Sequence, residues 1–181
     1  MANTYQLIEA KTLASAAASV EFTSIPSTYT DLKISISCRG DAFPSPYNTP
    51  LAYQFNGTTS GYTARDVYGQ GSGGTFSGSY TTTSISGTNY GRLGDGGMPT
   101  PSQTSNTFQN GDLYIPNYLS SNYKSFSYDF VPEDNASTVF NTTLLAGLWS
   151  NTAAITSIKL APASGSFVTY SSFYLYGIKN S

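Results

Sequence analysis

Strict alternation of apolar and polar residues restricts this chain more than any other feature. Leu32, Ile34, Ile36 and Cys38 alternate with Lys33, Ser35, Ser37 and Arg39. Phe126, Tyr128 and Phe130 alternate with Ser125, Ser127 and Asp129, and Thr156, Ile158 and Leu160 with Ser157 and Lys159. A repeat of two places successive side chains on opposite faces of an extended strand. Each segment therefore reads as an antiparallel strand with one face on a core and the other in water.

Fainter strand signals fill most of the remaining length. They run over Tyr5 to Ala10, Ser19 to Thr23, Leu51 to Asn56, Tyr62 to Tyr68, Tyr80 to Ile85, Asp112 to Ile115, Thr138 to Trp149 and Phe173 to Lys179. The last reads Phe-Tyr-Leu-Tyr-Gly-Ile, apolar on both faces, which suits a central strand or one covered by a partner. Turn residues separate the segments at Asn56-Gly57, Asn110-Gly111, Pro132 to Asn135 and Ser164-Gly165. About ten short strands with regular turn signals predict an all-β fold, an antiparallel β-sandwich of jelly-roll type. Ala10 to Ser19, rich in Ala but without an apolar stripe, reads as an extended linker or strand turn rather than a helix.

Two segments break the rhythm. Asp41 to Pro50 carries Pro44, Pro46 and Pro50 and predicts an ordered, irregular loop. Gly69 to Thr107 predicts a long Gly/Ser/Thr-rich loop insertion containing one strand pair around Tyr80 to Ile85. At 181 residues one domain is the default, and folding buries roughly 70% of the unfolded chain's surface. The expected division is an N-terminal arm or edge segment over residues 1–19 and a single sandwich domain over 20–181.

Composition decides which chemistry remains open. There is no His and a single Cys, Cys38, so a His general base, a His-ligated metal and a Cys-cluster metal site are all excluded. Cys38 reads as a small buried apolar residue of a strand. Only 10% of residues are charged, against about 25% in an average soluble domain. Eight cations, dispersed along the chain, leave no footprint for nucleic acid. No segment is long and apolar enough to span a bilayer, and no signal peptide is legible at the start.

The remaining constellations each have an ordinary explanation. Arg39-Gly40-Asp41 spells a tripeptide that some receptors recognise, yet it lies where a strand passes into a turn. Asn56, Asn135 and Asn141 open Asn-x-Ser/Thr triplets, a by-product of an Asn- and Thr-rich chain. Of the acids Asp41, Asp66, Asp95, Asp112, Asp129, Glu133 and Asp134, no two are held locally across a cleft as glycoside hydrolysis requires. Asp95-Gly96-Gly97 offers one side chain where calcium needs several. Ser121-Asn122-Tyr123-Lys124 matches Ser-x-x-Lys in form but begins a strand rather than a helix. The reading is therefore non-enzymatic, with no catalytic, cofactor-binding or metal residues assigned.

What is left is surface chemistry. Aromatic residues reach 14% of the chain, and many of its 15 Tyr fall near strand ends or loops. These are Tyr47, Tyr62, Tyr68, Tyr80, Tyr90, Tyr118, Tyr123 and Tyr170. A Tyr offers a flat apolar face and a hydroxyl, which suits protein interfaces, sugar stacking and the rim of a core alike. Trp149 ends an apolar strand and reads as core.

The opening stretch Ala2 to Leu13, leading into Phe22 to Leu32, resembles small virion surface proteins of tailed bacteriophages. The close of the chain, Leu148 to Ile158 and then Phe173 to Ile178, carries the same likeness. It covers roughly the first 40 and last 70 residues and leaves the middle unmatched. The resemblance implies a virion protein made in the host cytoplasm and placed on the virion surface. It further implies a capsid decoration or cement protein that binds the outer surface of the head and stabilises it. The expected partners are the major capsid protein or other virion proteins, with a homotrimer as the expected assembly. The alternative is a tail-fibre or receptor-binding domain contacting host surface glycan. Neither nucleic acid nor membrane is an expected partner. The resemblance carries no functional residues onto this chain.

Overall fold

The alternating segments become strands because their β-branched and aromatic residues fit a pleated, half-buried surface. The computed structural model describes residues 4–42, 49–70, 75–83, 91–132 and 141–179. Its strands are β1 (Tyr5–Thr12), β2 (Val20–Phe22), β3 (Asp31–Cys38), β4 (Thr49–Phe55), β5 (Tyr62–Gln70) and β6 (Thr75–Thr83). They continue with β7 (Gly91–Met98), β8 (Gln109–Ile115), β9 (Lys124–Val131), β10 (Asn141–Trp149), β11 (Ile158–Pro162) and β12 (Ser172–Ile178). No helix occurs among the described residues. The protein is all-β, and every strand pairing is antiparallel.

The strands form two sheets. One has eight strands in the order β1-β12-β3-β8-β9-β10-β5-β6, the other four in the order β2-β11-β4-β7. The layers meet through an aromatic cluster between them. Tyr53 and Phe55 of β4 pack edge-on against Phe126 of β9, at 5.1 and 5.5 Å between ring centres. Phe55 also meets Trp149 of β10 at 5.6 Å, and Tyr53 meets Tyr62 of β5 at 5.0 Å. Edge-on pairs match a ring's positive rim to its neighbour's negative face, each worth about 0.5–1.5 kcal/mol beyond area burial. Trp149 is core, as its place in the sequence predicts, and Cys38 is buried as a free thiol. Burial pushes the Cys38 thiol far up from its ordinary value, so it stays protonated and unreactive.

The Gly-rich excursion, expected as a loop with one strand pair around Tyr80 to Ile85, holds more strand than that among its described residues. Thr75–Thr83 is strand β6, paired along β5, and Gly91–Met98 is strand β7, paired with β4. Glycine is a poor strand former, so composition pointed away from β7. The reason for glycine there is close approach. A Cβ at Gly91 would overlap the ring of Tyr53, its register partner. At Gly147 of β10 it would overlap the ring of Phe126, again the register partner. Both glycines let a neighbouring aromatic lie flat across the sheet.

Residues 5–12 do not extend away from the body. They form the outermost strand of the larger sheet, paired with β12 along its length, with a bulge between Leu7 and Glu9. The Pro-rich loop falls largely at 43–48, outside the described residues, as do Asn135, Glu133 and Asp134.

Candidate functional site

The outward faces of the long strands supply one candidate surface. In β3 the side chains of Lys33, Ser35 and Ser37 point out while Leu32, Ile34, Ile36 and Cys38 are buried. Register then places Tyr174, Ser35, Asp112, Asp129, Leu144 and Val67 in one row across six neighbouring strands. The row below it carries Leu7, Tyr176, Lys33, Tyr114 and Arg65.

Large apolar side chains are exposed on this face among its charged and hydroxyl residues. The described residues expose eight large hydrophobic side chains, and six of them lie here: Tyr5, Leu7, Val67, Tyr114, Val131 and Leu144. Leu144, 61% exposed, stands directly opposite Val67, 54% exposed. Leu144, Val67 and Val131 adjoin on β10, β5 and β9, whereas Tyr5, Leu7 and Tyr114 lie apart on β1 and β8, with Lys33, Asp112 and Asp129 on the strands between. None of the strands needs these residues for its own core, which is on the other side.

The same register answers the search for paired carboxylates. Asp112 and Asp129, 17 positions apart in sequence, face each other across β8 and β9. They line a shallow depression of about 400 Å³ with Ser35, Asn110 and Tyr174. Asp112 is already engaged: its Oδ1 accepts from Ser35 Oγ at 2.7 Å and its Oδ2 meets Lys33 Nζ at 2.9 Å. Among the described residues no third acidic or Cys side chain joins the two into a metal-binding group. Hydrogen-bond partners across strands exist only in the folded sheet, which is why spacing along the chain gave no sign of them.

Other motifs turn out to be structural. Arg39 of the Arg-Gly-Asp triplet is only 8% exposed. Its Nη1 donates to the carbonyls of Thr104 (2.8 Å) and Thr107 (2.9 Å), and its Nη2 to those of Thr100 (2.7 Å) and Gln103 (3.2 Å). The guanidinium is the internal brace of the 100–107 loop, and is not displayed for a receptor. Asn56 Oδ1 accepts from the N–H groups of Thr156 (2.8 Å) and Ser157 (3.1 Å), while its Nδ2 donates to Ala154 O at 2.7 Å. That side chain ties the β4–β5 turn to the approach of β11. Lys124, 1% exposed, donates from Nζ to the carbonyls of Ser120 and Asn122, both at 2.6 Å. Burial lowers its pKa, yet its partners are turn carbonyls rather than the Ser121 hydroxyl.

The tyrosines divide. Tyr62 and Tyr118 are buried, whereas Tyr123 and Tyr170 are exposed, and the side chains of Tyr47, Tyr68, Tyr80 and Tyr90 lie outside the described residues. Asp66 is buried on the inner side of β5, and Asp41 is exposed with Oδ1 accepting from Ser166 N–H at 2.7 Å. Tyr114, on the outer face, donates its hydroxyl to Asp31 Oδ2 at 2.8 Å, and Asp31 Oδ1 accepts from Asn117 N–H at 2.8 Å. The Asp31 hydrogen bond pushes the Tyr114 phenol up to about 12. No protein-family model and no curated protein sequence matches this chain.

Proposed function

We propose that this chain is a non-enzymatic structural protein of a phage particle, a decoration or cement protein that binds the outer surface of the head and stabilises it. The observation that carries the reading is the set of large apolar side chains exposed on the outer face of the eight-stranded sheet. A protein that only needs to fold and stay soluble gains nothing from Leu144, Val67, Val131 and Leu7 in water.

Two features favour this face over the sheet edges as the contact. Strand addition needs a straight, open edge. At one end β1 is bulged between Leu7 and Glu9, and it carries Lys11. At the other end the β5–β6 ladder is irregular at Val67/Tyr68. Bulges and edge lysines are the ordinary means of discouraging strand addition. Charge then bears on the occupant. A two-fold stack of this face on itself, centred on β8 and β9, would bring Asp112 and Asp129 of both copies together. Lys33 already pairs with Asp112, so the like charge that opposes association is chiefly that of the two Asp129 carboxylates. The reading therefore assigns the face to a different protein, a capsid subunit, and leaves trimer formation to other surfaces.

Heads stripped of this protein and then incubated with it provide the test. The expected result is saturable occupancy at a copy number comparable to that of the major capsid protein. A Leu144→Asp/Val67→Asp double variant should fold yet fail to load. Wild-type occupancy by that variant would remove the face from the reading. A few copies per particle, confined to the tail, would replace it with the tail-fibre alternative.

A further inference from the structure

A second surface lies at one end of the sandwich, where β3 ends at Cys38, β8 begins at Gln109 and β12 begins at Ser172. The segments beyond these strand ends enclose a depression of about 500 Å³. That is within the range of small-molecule sites, roughly 300–1,000 Å³. Two of the five described non-glycine residues with positive φ line it, Asn106 at 64° and Tyr170 at 71°. Asn tolerates this conformation through local hydrogen bonding, but a bulky Tyr there is strained.

Neither folding nor solubility explains Tyr at position 170. Its side chain is 76% exposed, so the core does not need it. Glycine would take the same backbone without strain. The backbone is nevertheless held: Tyr170 N–H donates to Leu13 O at 2.8 Å, and Ser171 N–H to Val168 O at 3.2 Å. The fold thus maintains a strained turn that presents an aromatic ring at the rim of a depression. The other walls are equally well fixed. The Arg39 guanidinium holds the 100–107 loop by four carbonyls, and Asp41 is oriented by the Ser166 N–H.

We propose that this depression binds a neutral sugar ring, with its C–H face against Tyr170 and its hydroxyls on Asp41 and Asn106. The chemistry discriminates among ligands. Asp41 repels anions, and Arg39 is committed to the loop carbonyls, so phosphate and carboxylate groups lack a cation to meet. An organic cation could use the ring and the carboxylate. It could also meet the acceptor oxygens of Asn106, Ser105 and Thr169, but it would leave their donors without a partner on the ligand. A polyol uses donors and acceptors alike, and an apolar ring face completes the fit. The site does not depend on the docking face, and the inference stands whichever part of a particle carries the protein.

The test titrates the full chain with glucose, galactose, mannose and N-acetylglucosamine, and separately with tetramethylammonium, followed by amide NMR. At least one saccharide should give saturable shifts around Asn106 and Tyr170. Tyr170→Gly should weaken that binding at least tenfold while melting at the wild-type temperature or above, because glycine relieves the turn. Asp41→Asn, which keeps an oxygen for Ser166, should weaken it similarly. The proposal is overturned if no saccharide produces shifts, if only tetramethylammonium does, or if Tyr170→Gly binds sugar as tightly as the wild type. Loss of head loading by the Leu144/Val67 variant leaves this result untouched, so the two readings fail separately.

Discussion

The two faces of the eight-stranded sheet are built by the same strands and obey different rules. On the inner face each residue answers to a neighbour: Gly147 is glycine because Phe126 lies over it, and Trp149 is caged by Phe55 and Tyr62. On the outer face no described residue buries Leu144 or Val67, which stand opposite each other and are 61% and 54% exposed. Fold stability accounts for the first pattern and leaves the second over. Apolar residues that a fold does not use point to something outside the fold, and that contrast underlies the proposed docking.

The contrast can be broken by substitution, and the largest effect should come from the inside. Trp149→Ala should cost about 3–5 kcal/mol, a large share of the roughly 5–15 kcal/mol that holds a domain together. Urea unfolding measures it, and a loss below about 1 kcal/mol would mean that the aromatic cluster is not packed as described. Next is Arg39→Leu, which leaves the carbonyls of the 100–107 loop without their donor. Hydrogen bonds to charged groups are worth about 1.5–3 kcal/mol, so a loss on that order is expected, with new protease cleavage inside the loop. Unchanged cleavage would show that the brace is dispensable.

Tyr114 belongs to both faces in a sense, since its ring is on the outside and its hydroxyl anchors Asp31. Tyr114→Phe should cost about 1 kcal/mol, the ordinary net value of one hydrogen bond. Alkali offers an independent check. The phenol holds its proton up to about 12 when folded, against 10.0 for an unperturbed Tyr. The folded state therefore binds that proton more tightly, and the link contributes stability that is intact below pH 10 and lost as pH rises toward 12. Phenolate absorbance in Tyr114→Phe should lose one late-titrating phenol, while the buried Tyr53 and Tyr128, which burial pushes well up, keep theirs. The smallest effect should be the outer pair: Leu144→Thr with Val67→Thr should change stability by no more than about 0.5 kcal/mol. A markedly larger loss would make this face part of the fold's own energetics and weaken its assignment to a partner.

How much of this was legible beforehand varied with the kind of signal. Strands β3, β9 and β11 announced themselves, because a buried inner face imposes period-two patterning directly on neighbouring residues. Strand β7 was hidden, since its glycines answer to Tyr53 and Thr49 on a strand some 40 residues away rather than to any local preference. Arg39 looked like part of a recognition triplet, and only the fold shows its guanidinium turned inward onto a distant loop. The Asp112/Asp129 pair and the strained Tyr170 were invisible for the same reason: register and backbone angle are set by tertiary pairing.

By itself the sequence determined the class of fold, the identity of most strands, and the absence of His and clustered-Cys chemistry. These depend on residue type and on spacing of one or two positions, which the chain states openly. The tertiary structure decided which strands neighbour which, which acids face each other, which motif arginine is buried, and which apolar residues are left in water. Those outcomes depend on contacts between residues far apart in sequence, made only once the two sheets close on one another.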